Sequence, residues 1–256
     1  MTAATVASLT PKGLAGTLLR RVLQPGLRRV GIRLERFRPH EDAWQQLKRA
    51  YIRHGCTLML DVGANFGQFG RDLRIHSIKC RLLSFEPLSD AHARLLRRAA
   101  RHDYWTVAEQ TAIGDRDGTV EINVSADSHS SSLLGRLPQM QASAPGSEYV
   151  GTETVPIIRL DSYLPAHGYG DERFALKIDT QGFESQVLDG AAETLGRTWL
   201  VMLELSLVPL YDGAPDYKAM LARLEGLGFR CVGLHPDFVD PVTFEVMQIN
   251  AVFVRD

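Results

Sequence analysis

The chain has little of what marks several large protein classes. Its three cysteines, Cys56, Cys80 and Cys231, form no CxxC pair, so neither a disulfide framework nor a zinc cluster is expected, and the composition suits a reducing cytoplasmic compartment. None of the eight histidines stands in an HxxH, HxxxH or HExxH pairing, so no metal site is expected from them. No stretch approaches the roughly 18 apolar residues of a membrane span, and the N-terminus lacks an apolar segment followed by a small-residue cleavage site. An excess of one charge is missing too. Lys and Arg number 29 against 30 Asp and Glu, which gives no reason to expect a nucleic-acid partner and points to a small molecule instead.

At 256 residues the chain suits one well-buried α/β domain plus an extension better than two small domains. Residues 1–55 form the extension and 56–256 the domain. Between Leu14 and Arg38, apolar residues alternate with Arg20, Arg21, Arg28, Arg29, Arg33, Arg36 and Arg38, interrupted at Pro25-Gly26. This predicts a basic, amphipathic pair of helical segments. Either they pack an apolar stripe on the domain with the arginines solvated, or they make a peripheral contact with an anionic membrane surface or substrate carrier.

From residue 57, apolar runs at 57–62, 81–86, 104–113, 173–179, 199–205, 229–234 and 247–254 read as strands. Helical spacing fills 67–76, 88–102, 183–196 and 215–227. The alternation predicts a mainly parallel seven-stranded sheet with helices on both faces. The last two runs are joined by 235–246, too short for a crossover, so one strand should be reversed. Residues 115–172 form an insertion, with an exposed strand at 118–124, a polar stretch from Ser125 to Gly151, and a return strand at 154–159.

Open sheets of this kind bind ligands beyond the carboxyl ends of their strands. The first run ends in Asp61-Val-Gly-Ala-Asn-Phe-Gly67, where Gly63 and Gly67 let backbone approach a nucleotide and Asn65 tolerates a left-handed turn. Glu86 closes the second run at the spacing of a carboxylate that holds ribose hydroxyls. Ala112 and Ile113 could form an apolar adenine slot or could simply be strand-end packing. Asp179 and Glu204 end two further strands. Each could be a paired buried carboxylate, a ligand to an amine or a general base, and Lys177 shares the Asp179 face. His129, on the insertion, could meet a substrate hydroxyl or be solvated.

Read together, Asp61 to Phe69, Phe85-Glu-Pro87, Ala112-Ile-Gly-Asp115, Ser131-Ser-Leu133, Arg159 to Leu164 and Leu176-Lys-Ile-Asp-Thr-Gln-Gly-Phe-Glu184 resemble the FkbM family of S-adenosylmethionine-dependent methyltransferases. The resemblance runs from residue 57 to about 254 and leaves the basic extension outside. It implies a Rossmann-like class I methyltransferase fold, S-adenosyl-L-methionine as cofactor, and O-methylation of a hydroxyl on a sugar, glycolipid or related natural product. One departure is Thr180-Gln181, where the family more often carries a small or acidic residue before the glycine.

On that resemblance, Asp61, Gly63, Asn65, Gly67, Gln68, Glu86, Pro87, Ala112, Ile113 and Asp179 are the expected cofactor contacts. Gly63, Asn65 and Gln68 would shape the methionine pocket, Glu86 would take the ribose diol, and Asp179 would lie near the substrate. Asp179 is the leading candidate for the base, with Glu204, Lys177 and His129 behind it. Two other classes fit the glycine turn and the ribose acid: an NAD-dependent oxidoreductase and a non-catalytic cofactor-binding module. The first would want a tighter glycine spacing and no reversed strand. A nucleic-acid base methyltransferase is disfavoured because the 173–179 run ends in Asp-Thr-Gln-Gly and lacks an Asn-Pro-Pro-aromatic segment.

Overall fold

The computed structural model describes residues 14–33 and 37–256. The side chain of Arg20 and all of Arg36, both part of the basic pattern, lie outside the described residues. The chain divides into two compact units, one ending at Gln46 and one running from Leu47 to Asp256.

In the first unit, α1 (Leu14–Arg29) runs through Pro25 as one helix, so the expected break at Pro25-Gly26 does not occur. Proline removes one backbone donor and crowds the carbonyl four residues earlier. Arg28 and Arg29 in the last turn complement the negative end of the helix dipole and favour its continuation. Helix α2 (Ala43–Arg53) starts at Asp42, whose Oδ1 accepts the Gln45 N–H at 2.9 Å. Its later residues Leu47 and Tyr51 are buried.

The second unit continues with β1 (Leu58–Val62), α3 (Gln68–Ile75), β2 (Arg81–Phe85), α4 (Ser89–Ala99), β3 (Trp105–Val107), β4 (Ala112–Ile113) and β5 (Gly118–Ser125). There follow α5 (Pro138–Ser143), β6 (Tyr149–Ile158), α6 (Leu160–Ala166), β7 (Phe174–Ile178), α7 (Glu184–Asp189) and α8 (Ala192–Gly196). The chain ends with β8 (Thr198–Ser206), α9 (Tyr217–Gly226), β9 (Phe229–Pro236) and β10 (Gln248–Arg255). The main sheet has the order β3-β2-β1-β7-β8-β10-β9. Its pairs are parallel from β3 to β8, and β10 is antiparallel to both β8 and β9. The reversed strand is therefore present, wedged between two strands that precede it in sequence. This is a Rossmann-like class I methyltransferase arrangement, and it differs from the dinucleotide-binding order, whose sixth strand completes a parallel edge.

Every residue of β1 and β7 is buried, as continuous apolar runs covered on both faces require. Leu60, Leu176, Ile178, Val201, Leu203 and Phe253 form the centre of the core.

Three element boundaries differ from expectation. The 104–113 run is two strands: β3 ends at Val107, and β4 leaves the main sheet to pair with β6. The insertion is a second sheet of order β4-β6-β5, with the return strand beginning at Tyr149. The 183–196 helix is broken into α7 and α8 at Gly190, where any side chain would collide with the Gly114 carbonyl. Close approach of the backbone that follows β4 thus requires glycine at that break.

Candidate active site

Strand β1 delivers the turn 63–67 to the carboxyl edge of the sheet. Gly63 and Asn65 have φ of 75° and 48°, and a side chain on Gly63 would overlap the Asp179 carbonyl. The turn and the tip of β7 are therefore in backbone contact, which only glycine permits. The Gly63 and Ala64 N–H groups donate to the Phe85 carbonyl at 3.2 and 3.0 Å, fixing the turn against β2.

Glu86 stands at the tip of β2, 5 % exposed. Its Oε2 accepts the Asn65 N–H at 2.7 Å and its Oε1 the Leu88 N–H at 2.9 Å. Burial pushes its carboxyl up to about 7, and the two N–H donors offset only part of that. Pro87 accepts from Gln110 Nε2 through its carbonyl at 2.7 Å. Gln68, opening α3, keeps a buried Oε1 with no partner.

Behind the turn lies a buried polar chain. Trp105 Nε1 donates to Ser84 Oγ at 3.0 Å, and Ser84 Oγ donates to Asp61 Oδ2 at 2.9 Å. Asp61 Oδ1 is 3.2 Å from Lys177 Nζ. The ammonium also donates to the Gly63 carbonyl at 2.9 Å and lies 3.4 Å from Asp179 Oδ2. Burial alone would push the Lys177 ammonium down, but the Asp61 and Asp179 carboxylates outweigh it and hold it above its ordinary value. Asp61 is fully buried, with Oδ2 on Ser84 and Oδ1 toward Lys177. Lys177 is buried too, and through the Gly63 carbonyl and Asp179 it ties the turn to the tip of β7.

Asp179 is partly open, its side chain 35 % exposed. Gln181 Nε2 donates to Asp179 Oδ1 at 2.8 Å and to Glu204 Oε2 at 2.7 Å. Glu204 Oε2 also accepts from Gln248 Nε2 at 2.7 Å. Burial, then the neighbouring charges of Asp179, Asp237 and Glu184, push the Glu204 carboxyl well above the usual range. Burial and Asp179 also raise Asp237, which accepts from Asn250 Nδ2 at 2.5 Å. Glu184 folds back so that its Oε1 accepts the Thr180 and Gly182 N–H groups at 2.9 and 3.1 Å, a staple on the loop that carries Gln181.

The insertion reaches both halves of this edge. His129 Nε2 lies 3.0 Å from Gln68 Nε2, and its ring meets Phe66 edge-on at 6.4 Å. Ser132 Oγ donates to the Gln181 carbonyl at 2.6 Å. Ala112 and Ile113 are buried in β4: Ile113 belongs to the main core, and Ala112 packs with Leu88, Ala91 and Phe183. Because β3 ends early, the residues just beyond the third strand of the main sheet are 108–110 and not 112–113.

Gln181, Tyr211, Asp237, Gln248 and Asn250 also converge on these acids, with no sequence motif to mark them. Asn250 and Gln248 lie on β10, whose residues pair with Glu204 and Ser206 of β8, a neighbourhood set by the reversed strand and not by spacing along the chain. Among the described residues no cluster of three His, Cys, Asp or Glu side chains could hold a metal ion, and no helix is long and apolar enough to cross a membrane.

The residues present suit S-adenosyl-L-methionine. Glu86 offers a buried carboxylate with lone pairs left for a diol, and the orphaned Gln68 Oε1 offers an acceptor for an ammonium.

The family model "Methyltransferase FkbM domain" matches residues 61–231. The 2-O-methyltransferase NoeI of Sinorhizobium fredii (strain NBRC 101917 / NGR234) is 30% identical over 173 residues, covering 65% of this chain and 70% of that protein. Among solved structures, an rRNA methylase from Streptococcus thermophilus aligns over 86% of this chain and 97% of its own, with TM-score 0.44 and 10% identity. A protein of the NADB-Rossmann superfamily from Streptococcus agalactiae aligns over 88% and 71%, with TM-score 0.43 and 11% identity. The fold assignment is carried by the strand order above and not by these likenesses.

Proposed function

Since the chain belongs to the FkbM family of methyltransferases and uses S-adenosyl-L-methionine, we propose that it methylates a hydroxyl oxygen on a sugar, a glycolipid or a related natural product. The relative NoeI is by name a 2-O-methyltransferase, which supports oxygen as the accepting atom. The observation that carries the residue assignment is the buried Glu86 carboxylate beside the Asn65 N–H, with the half-open Asp179 across the Gly63 contact.

In this reading Glu86 holds the ribose diol, and Gly63, Asn65, Gly67 and Gln68 cradle the methionine portion. The segment from Pro87 to Gln110, with Ala112 and Ile113 behind it, borders the adenine. When bound, the cofactor supplies an electrophilic methyl on a positively charged sulfur. The chain itself supplies orientation, which can contribute roughly 7–11 kcal/mol to lowering the barrier. Asp179 takes the proton of the acceptor hydroxyl, a contribution of about 10²–10⁴-fold. Glu204, its carboxyl raised by burial, stands behind Asp179 as a second acid. His129 and the insertion cover the turn side and limit water.

In the basic extension, Val22 and Val30 are exposed beside Arg21, Arg28 and Arg29. We assign this segment, as an extension separate from the methyltransferase domain, to contact with anionic membrane surfaces from the cytoplasmic side. Co-sedimentation with phosphatidylglycerol vesicles, lost on Arg28→Ala/Arg29→Ala, tests it.

The experiment for the main proposal is mass spectrometry of glycans and glycolipids from cells with and without the protein. A species heavier by one methyl on oxygen only when the protein is present supports it. Transfer found only to nitrogen, or no difference alongside intact donor binding, contradicts it.

A further inference from the structure

Gln181 holds more of the acceptor side together than any candidate base does. Its amide carries two N–H groups, and both are used: one on Asp179 Oδ1 at 2.8 Å, the other on Glu204 Oε2 at 2.7 Å. Its Oε1 accepts the Tyr211 hydroxyl at 2.6 Å. Because Tyr211 is 1% exposed and donates there, the oxygen end of the amide is fixed and the nitrogen end must face the carboxylates. The backbone at Gln181 is left-handed, with φ of 54°. The Glu184 staple on Thr180 and Gly182 pins it from below, and Ser132 Oγ, from the insertion, donates to its carbonyl at 2.6 Å.

We propose that Gln181 is a positioning residue that locks Asp179 and Glu204 into one unit and ties the orientation of that unit to the seating of the insertion. The inference rests on the reading of Asp179 as the base. Lys177 fixes one oxygen of Asp179 from behind, and Gln181 fixes the other from the side. The carboxylate then has one orientation, with lone pairs left for a hydroxyl. A neutral amide bridges two acids without adding a third charge, and hydrogen bonds to ionised acceptors are the stronger kind. Any movement of Ser132 away from the site pulls on the same residue, so a displaced insertion would leave Asp179 free to turn. The departure at Thr180-Gln181 noted in the sequence is thereby given a task.

The test needs no acceptor. The full chain, labelled with ¹⁵N in glutamine side chains and ¹³C in glutamate carboxyls, is studied by NMR with S-adenosylhomocysteine. Calorimetry on the same samples reports whether S-adenosylhomocysteine binds, so loss of the donor reading registers separately. Both Gln181 amide protons should exchange with water at least about tenfold more slowly than free amides. Asp179→Asn should move one of them and Glu204→Gln the other, while Tyr211→Phe loosens both.

In Gln181→Met, which keeps length and loses the donors, Glu204 should titrate higher by roughly one pH unit or more. Glu204 is faced by Asp179 at the tip of β7, Lys177 of β7, Glu184 of α7, Asp237 beyond β9 and Tyr211, all of which the variant retains. Free exchange of the amide protons, or an unchanged Glu204 titration in Gln181→Met, overturns the proposal. If the Met variant does not fold, the amide-proton arm on the native residue still decides.

Discussion

The main-chain N–H of Asn65 donates to Glu86 Oε2 at 2.7 Å, so the glycine turn at the tip of β1 and the acid at the tip of β2 form one surface before any ligand arrives. Two oxygens, each already holding one N–H, present their remaining lone pairs in fixed directions. A diol laid across them would complete the set.

Replacing Glu86 with Ala or Gln should weaken S-adenosylhomocysteine by about a hundredfold or more, since two hydrogen bonds to a charged group are lost at about 1.5–3 kcal/mol each. Isothermal calorimetry reads this directly. Affinity within threefold of the native chain would remove Glu86 from the ribose site.

The same carboxyl makes binding and stability respond to pH in opposite senses. In the free protein its value is raised from 4.5 to about 7, and hydroxyls donating to the ionised form would draw it down. Affinity for S-adenosylhomocysteine should therefore fall as pH drops below about 7, with proton release on binding seen as a buffer-dependent enthalpy. For stability, a carboxyl raised in the folded state helps most below about 4.5 and loses that help as pH rises to about 7. The cofactor-free chain should thus lose about 3 kcal/mol between those values from this group. The buried Glu204 and Glu184, both also raised, act in the same direction. Urea unfolding at a series of pH values should show the slope, and Glu86→Gln should flatten it. An unchanged slope in that variant assigns it elsewhere.

Asp179→Asn should leave S-adenosylhomocysteine affinity nearly unchanged and slow methyl transfer by about 10²–10⁴-fold, the usual contribution of a general base. Single-turnover rates with any acceptor found by mass spectrometry check it. A fully active variant would transfer the role to another group.

Lys177→Met strands Asp61 in the core without its cation, and breaking a buried pair from one side costs about 3–5 kcal/mol. The variant should unfold at a markedly lower urea concentration, and adding Asp61→Asn should recover part of the loss. Equal stability of the single variant and the native chain would mean the ammonium is dispensable to the turn.

Much of this architecture is written in local pattern. The runs ending at Asp61, Glu86, Asp179 and Glu204 are apolar, short and bounded by turn residues, so strand ends and their acids can be read in order. The short 235–246 link also announces the reversed strand. What periodicity could not give is which side of a strand end faces a ligand. Asp61 and Lys177 flank the turn, and only the fold shows their side chains meeting Ser84 and the Gly63 carbonyl. The 104–113 run holds a change of sheet after Val107, and the polar Glu109-Gln110-Thr111 between its two apolar ends marks the exit. Gln181 and Tyr211 meet across 30 residues of chain, a pairing made by the tertiary fold alone.

The most direct measurement is a crystal structure of the chain grown with S-adenosylhomocysteine. The thioether ligand should lie along residues 63–68, with both ribose hydroxyls on Glu86 and the sulfur turned toward Asp179. Density for the ligand elsewhere, or in that cleft with Glu86 making no contact to the sugar, would contradict it.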